Sequence, residues 1–157
     1  MTFKTLVSIA AASVALSLAT AASAAVTFVG PDGWSHSGQP SPDGKVQFDQ
    51  WKLGGDPPQT VTVIQDSGTS FADSLAAVKT NFSNNKIRPA IDKDQDCLGR
   101  PSHVVEYTVG PDGHQITVNR LIVPDGAGVV TITYARGQKD DFDSDVRKAL
   151  TTFCAGK

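Results

Sequence analysis

SHVVEYTVGPDGHQITVNRLIVPDGAGVVTITYA, residues 102–135, is the stretch that decides the fold. Three runs rich in β-branched residues, Ser102 to Val109, Gln115 to Val123 and Val129 to Ala135, are separated by Pro-Asp-Gly tripeptides at 111–113 and 124–126. Pro presets φ for the first corner of a turn, Asp suits the second, and Gly accepts the left-handed backbone that follows. Turns of this kind join neighbouring antiparallel strands, so the stretch predicts a three-strand meander. Towards the N-terminus the same signals continue. Thr60 to Gln65 and Val46 to Leu53 read as strands, Val26 to Val29 as a short one, and further Pro-Asp-Gly turns stand at 31–33 and 42–44. The flanks of the four tripeptides differ, so they mark recurrent turn chemistry and no internal duplication.

Two segments switch to a helical period. Phe71, Leu75, Val78 and Phe82 fall at i, i+4, i+7 and i+11 in Ser70 to Phe82, with Ser70 and Asp73 spaced as a capping box. In Asp141 to Phe153, Phe142, Val146, Leu150 and Phe153 form a second stripe. Asp140, Asp141 and Asp143 load its start with negative charge and Arg147 and Lys148 follow, as a helix dipole favours. Each helix has one apolar face to bury. The expected class is α+β, an antiparallel sheet with helices packed on it.

Composition sets the outer bounds. The 157 residues carry 14 Lys+Arg against 16 Asp+Glu, a net charge of −2 that gives no field suited to nucleic acid or an anionic membrane. Fifteen of the acids are Asp and one is Glu106, which fits a turn-rich chain with short helices. Residues 1–24 read as a secretory signal peptide: Lys4, an apolar run from Leu6 to Ala19, and the small-x-small site Ala22-Ser23-Ala24. The run is too short to span a bilayer, and no Cys near the cut permits a lipid anchor. The expectation is therefore one secreted or periplasmic domain over 25–157, without stable membrane insertion. Cys97 and Cys154, the only cysteines, are expected to pair in that oxidising compartment. Closing a loop of about 58 residues stabilises a fold by roughly 4 kcal/mol in the chain-entropy account.

Few residues point to chemistry. Asp92-x-Asp94-x-Asp96 matches the opening of a calcium loop, but Cys97 stands where that loop needs Gly and His103 where it needs Glu. The segment reads as a solvated acidic loop. His36, His103 and His114 lack metal-site spacing, and no nucleophile elbow, P-loop or dinucleotide fingerprint is present. No metal, cofactor or catalytic residue is therefore expected. Arg120 interrupts the apolar series Ile116, Val118 and Ile122. A four-residue loop at 110–113 would set His103 opposite it; a three-residue loop would set Val104 there, with Glu106 one diagonal away. Arg120 then reads as the partner of a buried ion pair with Glu106, as snorkelling at the sheet end, or as part of a polar patch for an anionic group. His103, Glu106 and Arg120 are the ligand-binding candidates. Trp34 and Trp51 are expected in the core, with stacking on a ligand as the alternative.

The order of elements also resembles a known family. The features are the Pro31-Asp-Gly-Trp34 turn, a strand ending Val-Ile-Gln-Asp, the helix from Ser70, the meander, and the closing helix from Phe142 to Phe153. Together they are similar to the PsbP-like superfamily, which includes the DcrB- and LpqN-type bacterial envelope proteins. The resemblance covers about 26–154 and implies an α/β/α sandwich serving as an exported accessory or binding module, with no family catalytic motif to carry over. Bacterial members are often lipoproteins, and this chain lacks the acylated Cys. The expected role is a non-enzymatic domain that binds another envelope protein or a small ligand. The alternatives are a small secreted hydrolase using Glu106, His103 and Arg120, or an inhibitor or immunity-type protein.

Overall fold

A computed structural model describes residues 27–156. The expected signal peptide, 1–24, lies outside the described residues. The chain forms seven strands and two helices: β1 (Ser35–Pro40), β2 (Val46–Leu53), β3 (Gln59–Asp66), α1 (Phe71–Asn84), β4 (Ile91–Cys97), β5 (Arg100–Val109), β6 (Ile116–Asp125), β7 (Gly128–Gly137) and α2 (Ser144–Cys154). One antiparallel sheet holds all seven strands in the order β1-β2-β3-β7-β6-β5-β4. The class is α+β, as expected, and the meander β5-β6-β7 is its centre.

The period-2 alternation of the central strands explains how two helices share one sheet. Leu121 and Val123 of β6 enter a core with Val130, Ile132 and Tyr134 of β7 and with Val146 and Phe153 of α2. Val118 and Ile122, one residue out of phase, enter a second core with Val105 and Tyr107 of β5 and Val78 and Phe82 of α1. Successive strand residues point to opposite faces, so the helices lie on opposite sides. A strand buried on both faces needs a near-continuous apolar run, and the Leu-Ile-Val run at 121–123 supplies one.

Both helix starts follow the sequence signals. Ser70 caps α1, its hydroxyl accepting from the Asp73 N–H, and Asp143 caps α2, its carboxylate accepting from the N–H groups of Asp145 and Val146. The Cys97–Cys154 disulfide joins the end of edge strand β4 to the end of α2. Beside it the Leu98 N–H donates to the Cys154 carbonyl at 2.9 Å. Trp34 is buried and Trp51 packs against the same core, both under α2.

Three expectations are corrected. Residues 27–29 form no strand, and Val26 lies outside the described residues; Phe28 instead plugs the α2-side core, edge-on to Trp51 and Phe153. The acidic segment at 92–96 is part of strand β4, closed onto β5 by Leu98 and Gly99, both at positive φ (59° and 64°) as a tight hairpin turn needs. The third concerns register. The β5–β6 loop spans Gly110 to Gln115, six residues, because Val109 faces Ile116. Within it the His114 N–H closes a turn on the Pro111 carbonyl, with Gly113 at φ 84°. Arg120 therefore sits opposite Val105, and neither anticipated pairing forms.

Candidate functional site

The one-residue difference in register sends the three candidate side chains to different places. Glu106 pairs across from Asn119 and faces α2, whereas Arg120, next along β6, faces α1. The anticipated Glu106–Arg120 ion pair is absent for that reason. Asn119 Nδ2 donates to Glu106 Oε2 at 2.5 Å, Arg136 Nη2 lies 3.8 Å from the same oxygen, and Arg136 Nη1 donates to Asn119 Oδ1. Arg120 Nε donates to Thr133 Oγ1 at 3.3 Å. His103, 8% exposed, lies at the β4 side of the α1 face. Its Nδ1 and Nε2 each sit 2.8 Å from a carboxylate oxygen, of Asp94 and Asp92 respectively. The structure does not bring the three together. Among the described residues no cluster of three His, Cys, Asp or Glu side chains is arranged to hold a metal ion.

A different set of residues converges. Between α2 and the sheet lies an open cleft of about 380 Å³. Its floor is two adjoining cross-strand rows. One is apolar, Val104–Leu121–Ile132; the next, Glu106–Asn119–Tyr134, is polar. Asn119 and Tyr134 of that second row line the cleft, and Phe142, Leu150 and Thr151 form its wall on the helix side. Arg136 closes the polar end, its guanidinium 5.1 Å from the Phe142 ring centre and 5.5 Å from that of Tyr134.

The polar groups at this end hold one another. The Tyr134 hydroxyl donates to Gln59 Oε1 at 2.5 Å and accepts from the Asp143 N–H at 3.3 Å. Burial pushes the Tyr134 phenol above its ordinary value near 10, so it stays a neutral donor. Arg136 Nε donates to the Asp140 carbonyl at 3.2 Å. Glu106 and Arg136 offset each other's charge, so the trough has a hydrogen-bonding rim of low net charge at this end, while Asp96 and Arg120 also line the cleft. Such an arrangement can orient a molecule that pairs an apolar body with a hydrogen-bonding group. Sequence reasoning missed Asn119, Tyr134, Arg136 and Phe142. Asn119 and Arg136 do interrupt apolar strands as Arg120 does, but only the true register reveals that they meet.

No family model matches the chain, and no curated protein matches it. Among solved structures, PA94 of Pseudomonas aeruginosa, a protein of unknown function, is similar. Its identity is 17% and its TM-score 0.50, over 70% of this chain and 76% of that one. That likeness concerns the fold alone. Among the described residues no helix is long and apolar enough to cross a membrane.

Proposed function

We propose that the chain is exported, loses residues 1–24, and serves as a non-enzymatic binding domain of the PsbP-like kind. It takes a small amphipathic ligand into the cleft under α2. The observation that carries the reading is the pair of adjoining rows, Val104–Leu121–Ile132 and Glu106–Asn119–Tyr134, roofed by Phe142 and Leu150. An apolar body lies on the first row and an uncharged hydroxyl or amide reaches the second. The volume of about 380 Å³ suits a small molecule. The disulfide accords with an oxidising compartment, and helices on both faces accord with the sandwich that the family resemblance implies. The separation of Glu106 from His103 and Arg120 favours binding over hydrolysis.

The test uses protein expressed from the full chain and recovered from the envelope or medium. N-terminal sequencing should begin at Ala25; recovery only of cell-retained, unprocessed chain would sink the export reading. The neutral fluorophore N-phenyl-1-naphthylamine should bind saturably and weaken at least about tenfold in Val104→Arg, which sets a charge on the apolar row. Equal binding by a folded Val104→Arg protein would refute the cleft.

A further inference from the structure

Arg120 stands out among the strand arginines because no carboxylate faces it. Arg100 pairs with Asp125 at 3.0 Å, and Arg136 lies 3.8 Å from Glu106. Arg120 has one side-chain bond among the described residues, from Nε to Thr133, and no ion pair. It sits in the middle of β6, half-buried, where a central strand would ordinarily carry an apolar side chain. Taking a guanidinium out of water without a counter-charge is costly, so the site either stays hydrated or is completed by an anion.

The surroundings fit the second case. A cavity of about 340 Å³ opens between α1 and the sheet beside Arg120, lined by Thr69, Ser74, Asn81, Thr131 and Thr133 among others. Thr133 neighbours Arg120 directly and Thr131 is two residues along the same face. The hydroxyls of Ser74 and Thr131 hold no protein partner among the described residues, and both Nη groups of Arg120 are likewise unbonded. One acid lines the cavity, Asp66. Its carboxylate is already turned to its own turn, accepting from the Gly68 N–H at 2.7 Å, the Thr69 N–H at 3.1 Å and the Thr69 hydroxyl at 2.7 Å.

We infer that this cavity is an oxyanion site, in which the free edge of Arg120 receives a carboxylate or phosphate group and the Ser74, Thr131 and Thr133 hydroxyls complete its shell. The planar guanidinium matches two oxygens of such a group at once, which an ammonium does not. Its hydroxyls lie on the face opposite the cleft under α2, and Arg120 is the one residue that lines both cavities.

Nitrogen–proton NMR of the arginine Nε groups and backbone amides, during titration with sodium phosphate and sodium acetate, tests the site. Sodium chloride is the ionic-strength control. Arg120 Nε–H and the Thr131 and Thr133 amides should shift saturably with either oxyanion and not with chloride. Arg120→Met should weaken binding at least about tenfold, Arg120→Lys less, and Thr131→Val with Thr133→Val several-fold with the arginine intact. Absence of saturable shifts in the unmodified protein, or equal affinity in a folded Arg120→Met, overturns the inference. Two further arms separate the sources of the group. Arg120-dependent sedimentation with phosphatidylglycerol vesicles, but not phosphatidylcholine, assigns a lipid head group; binding of free glycerol phosphate without sedimentation assigns a soluble anion.

Discussion

The two faces of the sheet are covered by one helix each and are secured by different means. Under α2, Phe28, Trp34, Tyr134 and Phe153 pack into one core, and the helix end is bonded covalently to β4. Under α1, Val78 and Phe82 dock on Val105, Tyr107, Val118 and Ile122 without a covalent tie among the described residues. The difference follows from position in the chain. α1 is held at both ends by strands, β3 before it and β4 after it, whereas among the described residues no strand or helix follows α2. Helix ends fray unless something fixes them, and at Cys154, the last residue of α2, the disulfide does so. The α2 face can then keep an open cleft beside the helix without losing the helix.

The sharpest way to break the comparison is to remove the largest buried side chain of α1. Phe82 is 7% exposed and meets Tyr107 edge-on at 5.0 Å. Phe82→Ala should destabilise by about 3–5 kcal/mol in urea denaturation, the cost of a large aromatic lost from a close-packed core. A loss below 1 kcal/mol would mean that α1 does not depend on it. The double variant Cys97→Ala, Cys154→Ala addresses the other face. With the cysteines 57 positions apart, it should lose about 2–4 kcal/mol. Hydrogen exchange should quicken in α2 far more than in α1; an equal rise in both helices would show that the staple acts only through the unfolded chain.

The same contrast explains what was legible in the sequence. Both helices, their caps, the five more apolar strands and the cysteine pair follow from local pattern, because periodicity and capping act over a few residues. The two edge strands do not. β1 reads Ser-His-Ser-Gly-Gln-Pro and is exposed throughout, while β4 alternates Asp with Lys and Gln and resembles a loop. An edge strand buries little, so its polarity follows from the need to discourage pairing with other chains. The turn at Leu98 also lacks the usual residue types. Leu98 takes φ 59° although Leu rarely does, held by its bond to the Cys154 carbonyl and by packing on the α2 core. As for the site, Arg120 was visible as an interruption and Glu106 as the lone Glu. Their placement on opposite faces depended on one residue of loop length between Val109 and Ile116, which tertiary packing decides.

A smaller effect is expected at the rim of the α1 face. His103 bridges Asp92 and Asp94 of the edge strand, so His103→Ala leaves two neighbouring carboxylates facing one side without a donor between them. Because Asp92 and Asp94 remain open to water, the cost should be about 0.5–1.5 kcal/mol, with part of it recovered in His103→Gln, which restores a donor group. Identical stability of the Ala and Gln variants would show that packing alone, and no hydrogen bond, is what His103 supplies.

The finest test uses pH, which should loosen the faces from opposite ends of the scale. Burial raises the Tyr134 phenol above its ordinary value near 10, so the unfolded chain loses this proton first. The stability it contributes is complete below about pH 10 and falls as pH rises towards and through the folded value. Tyr134→Phe should cost about 0.5–1.5 kcal/mol at pH 8, from the lost bond to Gln59, yet flatten the alkaline decline. On the α1 side the hydrogen bonds from the Thr69 hydroxyl and the Gly68 N–H hold the Asp66 carboxyl below the usual carboxylate range. Its contribution is present above the unfolded value near 4 and disappears as pH falls through the folded one. Asp66→Asn should therefore flatten the acid limb and leave the alkaline limb unchanged. If Tyr134→Phe altered the acid limb, or Asp66→Asn the alkaline one, the assignment of that limb to burial of the phenol or to the turn bonds of the carboxylate would be wrong.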